Sequence, residues 1–238
     1  MSSGALTLLD TFAGTVGTAL DAHTPDTVPT GGFAWANAGG VALLSGAASV
    51  ICTTILDLPP LYTTSVYRQT HTLVDAYSLA APCYVQIDAS LPNYSPASGD
   101  LPYIAKLVVS SLSSFVTRIE LGVEESFGSA RQAYCSVTDS ASVTTTVLHT
   151  LSVDAAVHTV RVGVVGNTYT FYVDETSRGS HTSAGTFIDT VRSVVFTMQG
   201  PATPTVYTKR IAINGGGGPG HVPAADFWTN FNRAYEIP

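Results

Sequence analysis

The chain has 238 residues, 45% of them hydrophobic and only 11% charged, with a formal net charge of −7. That much apolar material is ample for a core, and charge so far below the roughly 25% usual in soluble domains leaves Ser, Thr, Gly and Asn to make the polar surface. The ten Lys and Arg are scattered along the chain, only Lys209 and Arg210 being adjacent, and form no basic run, which argues against a nucleic-acid footprint, and no apolar run approaches the ~18 residues of a membrane span.

The opening MSSGALTLLDTF has no basic region and no long apolar stretch, so the expectation is a soluble protein made in the cytoplasm and not exported by the Sec route. Cys52, Cys83 and Cys135 are an odd set without CxxC spacing; they read as buried free thiols and not as a disulfide framework or zinc knuckle. A weakly charged surface loses little hydration on contact, which suits a subunit packed against others. An ordinary soluble domain of low charge reads equally well from composition.

In chain order, LTLLDTF at 6–12 predicts a first strand, followed by a Gly- and Thr-rich loop broken by Pro25 and Pro29. Short strands are expected at 33–35, 41–44 and 49–54, and Pro59-Pro60 closes that unit. Alternating runs follow at 62–68, at 77–88 with Cys83, Val85 and Ile87 on one face, and at 103–109. The three-proline segment SLPNYSPASGDLP at 90–102 is the longest irregular piece, a candidate binding loop. Strands are then expected at 115–123, 130–138 and 143–153, with no helical period before residue 220.

The stretch HTVRVGVVGNTYTFYVD at 158–174 predicts a β-hairpin about Gly166-Asn167. Pairing Val165 with Thr168 puts Val160, Val162 and Val164 opposite Val173, Phe171 and Tyr169 on one apolar face. A Gly-Asn pair suits a type I′ or II′ turn. The other face carries Arg161 directly opposite Tyr172, an expected cation–aromatic pair on the outer sheet. Strands at 191–198 and 206–213 complete about a dozen. Their spacing predicts an all-β domain of two antiparallel sheets packed face to face over residues 1–214. Residues 215–220 read as a glycine-rich flexible joint. In the tail 221–238, Phe227, Trp228, Phe231 and Tyr235 fall at i, i+1, i+4 and i+8, the apolar stripe of a short helix that must dock on its own sandwich or on a neighbouring copy.

The hairpin with its flank, HTVRVGVVGNTYTFYVDETSRGS, and the later VRSVVFTMQG and YTKRIAIN resemble the last strands of concanavalin A-like lectin and laminin G-like jelly rolls. The opening LLDTFAGTVGTALDAHTPD with GGFAW is similar to the start of such modules in structural proteins of tailed bacteriophages. The resemblance covers most of 6–213 and implies a jelly-roll sandwich. It departs at Glu175, where such modules often carry Gly after the Asp, so a different turn is expected there.

Some members of that fold hydrolyse β-glucans, which needs acids at alternating positions of one strand. The nearest set here is Glu120, Glu124 and Glu125 in IELGVEE, but position 122 is Gly. Glu120 and Glu124 would lie about 13 Å apart at ~3.3 Å per residue, beyond the ~5–9.5 Å of catalytic carboxylate pairs. They read as solvated acids at a strand end, and no catalytic residue is assigned. Lectins of the fold often hold calcium through Asp and Asn; Asp21, Asp26, Asn93 and Asp100 are the available oxygens, with no ligand spacing. The six histidines show no HxH or HxxxH pair and there is no GxSxG elbow, so neither metal nor cofactor is expected. Of the aromatics able to stack on sugars, Trp35 reads as core and Tyr172 as cover for the outer sheet.

The resulting expectation is a non-enzymatic virion structural protein, a capsid decoration or auxiliary head protein assembling in many copies. Phe227, Trp228, Phe231 and Tyr235 would bury themselves on a neighbouring copy or on the major capsid protein. The alternative is a glycan-binding module of a tail fibre or spike, contacting sugar through Asn93, Tyr94 and Asp100. Neither nucleic acid nor membrane is an expected partner.

Overall fold

The computed structural model describes residues 7–15, 17–29, 32–35, 41–43, 50–52, 64–99, 102–110, 118–139, 141–183, 190–201 and 206–216. The aromatic tail and Asp100 lie outside them. In chain order the strands are β1 (Thr7–Asp10), β2 (Val41–Leu43), β3 (Val50–Cys52), β4 (Thr64–Ser78), β5 (Ala80–Ser90), β6 (Tyr103–Ser110) and β7 (Arg118–Glu125), followed by β8 (Gln132–Thr138), β9 (Thr144–Thr150), β10 (His158–Val165), β11 (Thr168–Val173), β12 (Thr176–Thr182), β13 (Thr190–Pro201) and β14 (Tyr207–Gly216). The one helical piece among the described residues is a 3-10 turn, Leu20–Ala22.

All pairings are antiparallel and fall into two sheets. One runs β12-β11-β10-β5-β14-β3-β2, with β1 also on β14, and the other runs β4-β13-β6-β7-β8-β9. Their facing sides supply one continuous core, with Val160, Val162, Val164, Tyr169 and Phe171 from the first sheet and Leu107, Ile119, Leu121, Val194 and Phe196 from the second. Period-two alternation is what sends these residues to one side.

The hairpin register is as expected from the sequence, from Val165↔Thr168 to Val160↔Val173. Gly166 takes a positive φ of 57°, and of the two turn residues it alone does so, the pattern of a type II′ turn. Arg161 stacks its guanidinium 4.6 Å from the centre of the Tyr172 ring. It is buried, however, and not displayed on an open face, and its Nη2 lies 2.8 Å from the Glu175 carboxylate.

The turn after the hairpin is not the different turn expected from Glu175: it keeps the positive-φ backbone that Asp-Gly favours, with Glu in the glycine's place. Asp174 and Glu175 both hold positive φ, 49° and 61°, a conformation that costs an L-residue roughly 1–2 kcal/mol. Side-chain bonds offset it: Asp174 accepts from the Thr159 N–H at 3.0 Å and pairs with His158 Nδ1 at 2.9 Å, while Glu175 holds Arg161.

Three expectations about local structure are corrected. Phe33 to Trp35 form no strand; the Trp35 indole N–H donates to Asp10 Oδ2 at 2.7 Å, and Asp10, fully buried, also accepts from the Phe12 N–H and bonds His23 Nε2. This holds the segment as a core-lining loop, with Phe33 edge-on to Trp35. Residues 176–182 form a strand although TSRGSHT has no apolar alternation. The sheet also continues through Gly216, paired with Ala80, so the first two glycines of the expected joint belong to β14.

Candidate functional site

In β7 the inward residues Ile119, Leu121 and Val123 enter the core, which turns Arg118, Glu120, Gly122 and Glu124 to the outer face of the six-stranded sheet. Neighbouring strands place Lys106 and Tyr134 in register with Gly122 on its two sides. Both reach Glu120: Lys106 Nζ donates to Oε1 at 3.1 Å and the Tyr134 hydroxyl at 3.3 Å. Gln132 donates to Glu124 at 3.0 Å, and Arg118 stands 3.9 Å from Glu120. Burial, then the charges of Glu120 and Glu124, push the Tyr134 hydroxyl far above its usual pKa, so it stays a proton donor.

Gly122 decides what this face can do. A Cβ there would stand 2.8 Å from the Lys106 Cα and closer still to the Ala105 carbonyl oxygen. The obstacle is backbone, so no side chain of any kind fits without moving β6. An acid between Glu120 and Glu124 is therefore excluded by packing, and the two existing carboxylates are already engaged by their neighbours.

Glu125, grouped above with solvated acids, is not one. The strand's parity turns it inward, to 1% exposure, where Arg131 meets it at 2.8 Å. Arg131 Nη1 also donates to the Asp154 carbonyl, and Nη2 to the carbonyls of Pro92 and, at 3.4 Å, Tyr94. The Leu151 N–H in turn donates to the Arg131 carbonyl. One guanidinium thus ties the β5–β6 loop (91–99), the β7–β8 turn (126–131) and the β9–β10 loop (151–157) together at one pole of the sandwich. Tyr94 sits on this pole, 39% exposed and edge-on to Tyr103, with the exposed Asn93 beside it. Nothing local marks Arg131 in the sequence, since its partners lie on three other segments.

The remaining candidates do not converge. Asp26 clips the first loop, accepting from the Thr11 N–H and hydroxyl, and lies on a different segment from Asn93. Among the described residues no three His, Cys, Asp or Glu gather as a metal site would require. Cys83 and Cys135 are free, buried, and pushed by burial well above the ordinary thiol pKa; Cys52 lies in β3. Ser183 donates to Asp139, whose carboxyl that bond holds below its usual pKa.

No family model matches the chain and no curated protein does. Solved structures do. SCLam, a non-specific endo-β-1,3(4)-glucanase of family GH16, aligns at a TM-score of 0.56 with 11% identity over 88% of this chain and 90% of its own. The chain is a concanavalin A-like β-sandwich. The globular domain of Trypanosoma cruzi calreticulin aligns at 0.52 with 9% identity over 79% and 78%. An immunostimulatory antigen and pseudo β-1,3-glucanase of Mycobacterium tuberculosis aligns at 0.50 with 14% identity over 90% and 100%. At such identities the likeness is one of fold.

Proposed function

We propose that this sandwich is a non-catalytic virion structural protein, a subunit that decorates or reinforces an assembled particle in many copies, on the head in preference to the tail. The observation that carries the non-catalytic part is the backbone contact at Gly122, which denies the outer sheet face an acid between Glu120 and Glu124. No reducing ends should be released from β-glucans; release abolished by Glu120→Gln would sink this part. The assembly part is supported by a surface with few charges to desolvate, by the resemblance of the opening residues, and by the aromatic tail. Phe227, Trp228, Phe231 and Tyr235 are its anchors, a desolvated aromatic of this kind contributing ~2 kcal/mol or more at an interface. Quantitative mass spectrometry of particles purified from the culture that makes the protein tests it: many copies per particle are expected, and absence from them refutes it.

A second reading, a glycan-binding module of a tail fibre or spike, is favoured by one observation, the exposed Tyr94 beside Asn93 on a loop fixed from below by Arg131. Glycan-array binding lost on Tyr94→Ala would establish it in place of the first.

A further inference from the structure

We propose that the pole pinned by Arg131 is the docking surface for the C-terminal segment, residues 217–238, of a second copy of this chain, so that copies join head to tail. This inference rests on the assembly reading above and names the surface that the anchors occupy.

Three features of the pole support it. Tyr94, Phe127, Val153 and Val157 are all exposed, Phe127 to 59%, and they stand on the three loops whose backbones converge on Arg131. Scattered apolar side chains need no explanation, but several on adjoining loops of one pole mark an interaction surface. The loops are held in place before any partner arrives, which lowers the ordering cost of binding. Their fastening is also a buried ion pair, Glu125 and Arg131, at positions where an apolar pair often gives comparable stability. What the ion pair adds is a guanidinium with donors for carbonyls on two other loops.

The occupant follows from where β14 ends. Gly216 pairs with Ala80 at the start of β5, whereas the loop carrying Tyr94 begins after Ser90, at the other end of that strand. Those ends are about 33 Å apart at ~3.3 Å per residue. From Gly216 to Phe227 the chain spans at most about 36–40 Å at full stretch, through a glycine run and two prolines. To place Phe227, the first of its aromatics, on its own pole it would have to run almost taut along the whole sandwich. In a head-to-tail row the next copy's pole would lie beside Gly216, and no such extension would be needed. The contact is heterologous, one copy's tail on the next copy's pole, and it propagates into a ring or a row.

Full-length variants test this by complementation. A pole variant, Tyr94→Ser with Phe127→Ser, and a tail variant, Phe227→Ser with Trp228→Ser, are checked for folding by circular dichroism and followed by sedimentation velocity. Wild type is expected to self-associate with rising concentration, and each variant alone to do so at least about 30-fold more weakly, the loss of a typical hot spot. Mixed, the two are expected to form a one-to-one pair, since one intact pole and one intact tail remain. Wild-type association by the folded pole variant, with the tail variant monomeric, overturns this inference and leaves the assembly reading standing. A wild type monomeric at every concentration and absent from purified particles removes both. A mixture that fails to pair, or glycan binding lost in the pole variant while association is unchanged, also overturns it.

Discussion

Two carboxylates of the same strand, Glu120 and Glu125, have opposite fates. The first lies on the outer sheet face, where Lys106 and Tyr134 satisfy it across neighbouring strands. The second, of opposite parity, turns inward and is held by an arginine that serves three loops. An ion pair on a sheet face trims a surface, whereas one buried under loops decides where those loops stand. The shared strand shows that the acid's residue type decides little here and its parity decides much.

That contrast can be broken most strongly from below. Arg131→Ala leaves Glu125 buried without its cation and should destabilise the fold by about 3–5 kcal/mol in denaturant unfolding. Replacing both partners, Glu125→Met with Arg131→Met, should recover most of that stability while weakening self-association, because the carbonyls of Pro92 and Asp154 lose their common donor. Full association in the double variant would show that the ion pair is not what places the loops. On the outer face, Gly122→Ala forces β6 and β7 apart and should cost about 1–3 kcal/mol, read from the same unfolding curves.

Smaller effects sharpen the outer face further. The unfolded Tyr134 hydroxyl ionises near pH ~10, while burial in the fold holds it protonated to higher pH. The stability it contributes is therefore whole below about pH 10 and declines as pH rises above it. Tyr134→Phe should flatten that alkaline decline in the denaturant midpoint. Lys106→Ala should change stability by less than ~1 kcal/mol, as partly exposed pairs do, and the change should shrink with added salt.

The sandwich was readable because it is written in local alternation. The register of β10 and β11 follows from two apolar runs and a Gly-Asn pair, and the observed Arg161↔Tyr172 pairing follows from that register. β12 was invisible for the converse reason: TSRGSHT lacks apolar alternation, and the strand exists because β11 offers it an edge. The expected strand at Phe33 to Trp35 failed because a buried carboxylate thirteen or more residues upstream captures His23 and Trp35, a contact without sequence period. Of the site, the acids of β7 and the loop of Asn93 and Tyr94 could be picked out from residue type. The burial of Glu125 and the gathering of loops by Arg131 could not, because they depend on segments up to 39 residues apart.

The paired left-handed residues Asp174 and Glu175 carry a consequence for the order of folding. The Gly166-Asn167 turn is favoured by its own backbone, so β10 and β11 can close on each other early. The Asp174-Glu175 turn is disfavoured alone and gains its compensation from Thr159, His158 and Arg161, all on β10. β12 is thus expected to join a hairpin already made, and φ-values near zero along 176–182 beside larger ones in 158–173 would bear that sequence of events out. Glycine at 175 would loosen the dependence, letting the third strand form before its neighbour's side chains are in place.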